Sequence, residues 1–139
     1  MAFYPYLSFG GNCREAMTRY HEIFGGTLDL MSMADMPAGE AEVPADQVDL
    51  IMHSALVLPD GGLLMAGDAG GQDIPAPQGM CVNVTVASTD EAQRVFAALA
   101  DGGRVDMAIE PSFFSPMFGM CTDRFGTPWL VNTEAPAQS

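Results

Sequence analysis

Lysine is missing from this chain of 139 residues. Five arginines and two histidines stand against eighteen acids, for a formal net charge of −13. A field of that sign repels phosphate backbones and anionic lipid, which argues against nucleic-acid and membrane-surface roles and leaves neutral or cationic small molecules as partners. No apolar run approaches the roughly 18 residues that a membrane span requires. The first twelve residues, MAFYPYLSFGGN, have neither a basic n-region nor a sustained apolar h-region. The reading therefore expects no signal peptide and a cytoplasmic protein. Cysteine is scarce too. Cys13, Cys81 and Cys121 are odd in number and without paired spacing, so neither a disulfide framework nor a cysteine zinc site is indicated. Cys13 would open a helix, where the dipole favours a thiolate, but no histidine or lysine lies beside it to activate it.

What the chain does contain, it contains twice. Asn12-x-x-Glu15-Ala16 opens a helical pattern that closes at Gly25-Gly26, and Ser88-x-x-Glu91-Ala92 opens another that closes at Gly102-Gly103. The offset is 76 residues from Glu15 to Glu91 and 77 from Gly25 to Gly102. Two copies are too few for a solenoid; they describe a duplicated module whose halves share a core, with a site along the seam. A hydrophobic fraction of 48% suits one globular domain over residues 1–139, with module one at 1–69 and module two at 79–134.

Each module reads as β-α-β-β-β. In the first, Phe3 to Phe9 alternates around aromatics as a strand, with Pro5 near its edge. Asn12 is the expected N-cap, with Glu15 completing a capping-box variant, and Ala16, Met17, Tyr20, Ile23 and Phe24 form the apolar helical face. Leu28 to Met33, Ile51 to Leu58 and Leu63 to Gly67 are strands, the last two joined by Pro59-Asp-Gly-Gly62. The acidic stretch Ala34 to Asp49 reads as a loop or lid, and Ala69 to Gly79 as the connection between modules. In the second module, Met80 to Ala87 is a strand with Val82, Val84 and Val86 on one face and Cys81, Asn83 and Thr85 on the other. Ser88 to Glu91 is a capping box, Ala92, Val95, Phe96 and Leu99 are the helical face, and Val105 to Glu110, Met117 to Thr122 and Pro128 to Thr133 are strands. The expected class is α+β, two pseudo-symmetric modules forming a curved mixed sheet around a cleft.

The helix start Asn12-Cys-Arg-Glu-Ala-Met17, the following Tyr20-His-Glu-Ile-Phe-Gly-Gly26 and the terminal Thr122-Asp-Arg-Phe-Gly-Thr-Pro-Trp129 resemble the vicinal oxygen chelate superfamily. Its members include glyoxalases, ring-cleaving dioxygenases and bleomycin-resistance proteins. Pro5-Tyr-Leu-Ser-Phe9, Ile51-Met-His-Ser-Ala-Leu56, Leu64-Met-Ala-Gly-Asp68 and Phe118-Gly-Met-Cys-Thr-Asp-Arg-Phe-Gly126 are most similar to its PhnB-like subgroup. The resemblance implies a fold and commonly a homodimer, but no particular reaction, because one fold hosts many chemistries.

Catalytic members hold a divalent metal with His, Gln or Glu from the first and last strands of each module. Carried over through the repeat, those positions are Tyr4, Met65, Cys81 and Leu130, which do not make a donor set for a hard or borderline cation. No metal and no cofactor is expected. S-adenosylmethionine is rejected as well, for want of a glycine-rich nucleotide fingerprint after a strand. The cleft is expected to be bounded by Tyr4, Tyr6, His53, Met65, Asn83 and Trp129. His53 has two readings, a sheet histidine satisfied by a neighbour or a donor or base lining the cleft. His21 reads as a surface residue on the first helix. The sequence thus points to a metal-independent small-molecule binding or sequestering protein. The alternative is a lyase, isomerase or transferase acting through His53 or a thiol.

Overall fold

A computed structural model describes residues 1–35, 44–69 and 74–134. The chain forms two compact units, Met1–Pro75 and Ala76–Ser139, each a four-stranded mixed sheet with one helix. The boundary between them falls inside the expected connection; residues 70–73 of that connection, like 36–43 of the acidic stretch, lie outside the described residues.

The first unit runs β1 (Tyr6–Phe9), α1 (Cys13–Phe24), β2 (Thr27–Ser32), β3 (Ile51–Val57) and β4 (Leu63–Asp68), with sheet order β1-β4-β3-β2. β1 lies parallel to β4, while β3 is antiparallel to both β4 and β2. α1 forms because Ala16, Met17, Tyr20 and Ile23 line one stripe, and all four are buried. They meet Leu56, Leu64 and Ala66, which are buried on the covered face of the sheet. Fully burying one large apolar side chain stabilises the fold by roughly 1.5–3 kcal/mol, so this stripe alone decides which sheet face is covered.

The start of α1 differs from expectation. The Asn12 side chain makes no capping bond. Asp68, at the far end of β4, takes the role instead, accepting the N–H of Cys13 and of Gly11 with Oδ1, each at 3.0 Å. The parallel pairing of Phe9 with Asp68 brings that carboxylate to the helix entrance, where a negative charge also complements the helix dipole.

The second unit runs β5 (Val82–Val86), α2 (Thr89–Ala100), β6 (Arg104–Glu110), β7 (Phe118–Thr122) and β8 (Pro128–Thr133), in the order β5-β8-β7-β6. Ser88 caps α2 by accepting the Glu91 N–H at 3.1 Å, as its sequence implies. The reciprocal half of the capping box is replaced: the Glu91 carboxylate pairs with Arg94 one turn on. Ala92, Val95, Phe96 and Leu99 are buried on the helix, together with Cys121, Trp129 and Val131 on the sheet.

The paired glycines after each helix have one cause. A Cβ on Gly26 would collide with the carbonyl oxygen of Val57, the last residue of β3. A Cβ on Gly103 would collide with the carbonyl oxygen of Thr122, the last residue of β7. In both modules the chain leaving the helix is pressed against the end of the same strand, which only glycine permits. The repeat read in the sequence is therefore a repeat of packing.

Candidate functional site on the open face of the first sheet

Side chains alternate across a strand, so residues that do not point at α1 share the other face of the first sheet. Register settles the membership. Tyr6 pairs with Met65, Met65 with Ala55, and His53 with Met31. On this face Tyr6 reaches across β4 to His53: its hydroxyl lies 3.4 Å from His53 Nδ1, and the two rings stack at 5.7 Å with an interplanar angle of 28°. Gly67 makes the crossing possible, because a Cβ there would stand 2.8 Å from the Tyr6 hydroxyl oxygen and 3.0 Å from the Met52 carbonyl oxygen. Tyr6 stays half exposed, as does Met31. Partial burial, followed by the nearby Cys13 thiol, pushes the Tyr6 hydroxyl above its ordinary pKa, so its proton is held more tightly.

Of the residues read as site members, the structure brings Tyr6, His53 and Met65 together. Tyr4 is not in the sheet. The expected strand from Phe3 begins only at Tyr6; Phe3 and Tyr4 are exposed, and Pro5, which has no N–H to give a ladder, contributes its carbonyl to the Met65 N–H. Cys81 likewise precedes β5 and is exposed. The residues beside Met65 and Leu130 are Tyr6 and Asn83, again 77 apart, so the sequence register was two residues early in both modules.

Asn83 belongs to the second unit, where Asn83, Leu130 and Met120 share the face away from α2. Asn83 Nδ2 donates to Thr85 Oγ1 at 3.4 Å, and that hydroxyl donates to Asn132 Oδ1 at 2.8 Å. Asn132 was not singled out in the sequence; its parity with Leu130 along β8 was the available signal.

Trp129 is a correction. It is 2% exposed, on the covered face with Val131, and its Nε1 donates to the buried Asp123 Oδ2 at 2.8 Å. Its neighbour Leu130 faces the other way, so the two cannot line one surface. Trp129 is core, and Asp123 satisfies its one polar atom.

The thiols divide sharply. Cys13 and Cys121 are buried and pushed up to about 11 by desolvation, with Cys13 Sγ 3.6 Å from Ser54 Oγ. Cys81 is exposed. His21 is an exposed helix residue whose Nε2 meets the Gly26 carbonyl oxygen at 3.1 Å. Among the described residues, no three His, Cys, Asp or Glu side chains gather as metal ligands would. The paired first- and last-strand positions carry Tyr6 and Met65 in the first unit and Asn83 and Leu130 in the second, and neither pair supplies the imidazole or carboxylate donors that suit a divalent ion. No helix among the described residues is long and apolar enough to cross a membrane.

Two helices, each laid on one face of a four-stranded mixed sheet with parallel first and last strands, define a protein of the glyoxalase/bleomycin-resistance/dioxygenase fold, in keeping with the vicinal oxygen chelate superfamily. A domain of that kind from Frankia sp. EAN1pec superposes with a TM-score of 0.63 at 14% identity, covering 99% of this chain and 94% of the other. Within the fold, the chain belongs to the PhnB-like family, whose profile is described as 3-demethylubiquinone-9 3-methyltransferase and matches residues 1–132. Protein YjdN of Escherichia coli is 31% identical over 140 residues, covering 95% of each chain. The crystal structure of PA1353 from Pseudomonas aeruginosa is similar at 44% identity with a TM-score of 0.81, covering 96% of this chain and 98% of that one.

Proposed function

We propose that this chain binds or sequesters a neutral or cationic small molecule without a metal, and that the open face of the first sheet takes part. The observation that carries the reading is the Tyr6–His53 pair. Two polar rings are held in contact beside Met31, Ala55 and Met65, with Asp29 on the same face next to Ala55, a mixture of apolar wall and few polar groups such as small-molecule sites use. The formal charge of −13 favours neutral or cationic ligands over anions.

The activity in the family's description would require a methyl donor such as S-adenosylmethionine, and the strand-to-helix turns do not fit one. The β1–α1 turn does contain Gly10-Gly11, but the N–H groups of Gly11 and Cys13 are already taken by Asp68. The β5–α2 turn has no glycine, and Ser88 takes the Glu91 N–H. Neither turn offers the free, glycine-lined amides that cradle a nucleotide cofactor.

A second reading, an enzyme of the lyase, isomerase or transferase type, is favoured by the same pair, since a phenol and an imidazole in contact can move a proton. A thiol route would fall to Cys81, the exposed one of the three cysteines. The proposal includes a cytoplasmic homodimer, supported by exposed Val105 and Met107 on the edge strand β6. Sedimentation velocity giving only monomer would remove that part.

The test is a thermal-shift screen of the purified chain against a metabolite and drug library, followed by titration of His53→Ala. A hydrogen-bonding role predicts weakening by about 0.5–1.5 kcal/mol. A base predicts turnover falling roughly a hundredfold or more. A hit that binds unchanged in His53→Ala removes the first sheet's face from the site.

A further inference from the structure

The contact between Tyr6 and His53 also decides which chemistry His53 shows to solvent. A phenol O–H and a neutral imidazole can pair in two ways: the phenol donates to a bare Nδ1, or Nδ1–H donates to the phenol oxygen. The first is favoured chemically. A phenol gives up its proton to a hydrogen bond more readily than an imidazole N–H does, and the imidazole lone pair is the stronger acceptor, because the phenol oxygen shares its own with the ring. With Nδ1 engaged as acceptor, the ring proton sits on Nε2. Nε2 has no hydrogen-bond partner among the described residues. The titratable neighbours on this face are Tyr6 from β1 and Asp29 from β2, the latter paired with Ala55 one step along from His53; the β4 residues Leu63, Met65 and Gly67 carry no charge.

We infer that this face selects ligands that present a hydrogen-bond acceptor on a flat apolar body, with His53 Nε2–H donating to a carbonyl-type oxygen while Met31, Met65 and the Tyr6 ring receive the apolar part. The inference rests on the binding reading above and narrows it from neutral or cationic ligands to neutral acceptors. Tyr6 acts here as a positioning residue, since it fixes the tautomer of the imidazole that meets the ligand. Gly67 is the space that lets it do so.

Two measurements on the full chain test this. Long-range proton–nitrogen NMR correlations, taken at a pH where the same spectra show the ring neutral, report the His53 tautomer. A His21→Gln variant assigns the signals. The expected result is Nε2–H in the wild type and a mixture of tautomers in Tyr6→Phe, which keeps the ring and removes the hydroxyl. The second measurement titrates methionine-methyl-labelled protein with acetophenone and with 1-phenylethylamine, which share shape but not polarity. Acetophenone is expected to shift Met31 and Met65 and to bind about tenfold more tightly than the amine, the worth of one hydrogen bond. That preference should shrink in Tyr6→Phe. A wild-type Nδ1–H tautomer, or an amine that binds as well as the ketone, overturns the inference and leaves the binding reading standing. If neither probe shifts either methionine, the inference falls, and the binding reading stands or falls by the library screen.

Discussion

Asp68 Oδ1 accepts the N–H of Cys13 at 3.0 Å, so a carboxylate at the end of the last strand of the first unit caps a helix that begins 55 residues earlier. Its second oxygen accepts the N–H of Ile51 at 2.8 Å, the first residue of β3. One side chain thus ties together α1, β3 and β4, and holds the entrance to the strand pair on which Tyr6 and Met65 sit.

Replacing Asp68 by Ala leaves the amides of Gly11, Cys13 and Ile51 without their acceptor. The expected loss of unfolding free energy is about 2 kcal/mol or more, combining a helix cap with hydrogen bonds to a charged group. Asp68→Asn keeps one oxygen acceptor and should lose less. Asn12→Ala, at the residue that looks like the cap in sequence, should change stability by under about 0.5 kcal/mol. Urea denaturation of the three variants decides this, and equal losses for Asn12→Ala and Asp68→Ala would contradict the cap assignment.

The thiols give a reactivity prediction and a pH prediction. Cys81 should react with a disulfide reagent at once, whereas Cys13 and Cys121, buried and pushed up to about 11, should react only on unfolding. The folded chain holds the protons of Cys13 and Cys121 more tightly than the unfolded chain does. Their contribution is therefore intact below the ordinary thiol value of 9.0 and is lost as pH rises toward about 11. Denaturation midpoints should fall as pH rises from about 9 toward about 11, and less steeply in a Cys13→Ala, Cys121→Ala variant. Identical slopes would show that these thiols do not set the alkaline limit.

How much was legible in the sequence follows from which interactions are local. The two helices were visible because an apolar stripe and its closing glycines lie within one stretch of chain. The alternation of Val82, Val84 and Val86 against Asn83 and Thr85 was visible for the same reason, and β5 presents them as read. The cap of α1 was not, since Asn12 satisfies the local rule and Asp68 acts through a parallel strand pairing. Tyr4 was misplaced because aromatic alternation continues past the point where pairing begins. Gly67 carried no signal in sequence, for its importance lies in the Tyr6 ring that passes over it. Trp129 is legible from parity alone: with Leu130 beside Asn83 on the open face, strand alternation puts Trp129 on the covered one.

Trp129 supplies the last prediction. Its indole is buried against α2 and its Nε1 donates to Asp123 Oδ2, while Asp123 Oδ1 accepts the N–H groups of Phe125 and Thr127 at 2.9 and 3.0 Å. The same carboxylate therefore shapes the β7–β8 turn and anchors the one tryptophan of the chain. Emission should be blue-shifted and poorly quenched by acrylamide, and it should not respond when acetophenone binds the first sheet. Asp123→Asn turns an amide toward the indole N–H or toward the turn amides, donor against donor, and should cost about 1.5–3 kcal/mol. Trp129→Phe removes the indole donor and leaves a void, so it should destabilise the chain by roughly 1–3 kcal/mol while leaving first-sheet binding intact. An exposed, readily quenched tryptophan would return Trp129 to the surface and undo the assignment of the covered face in the second unit.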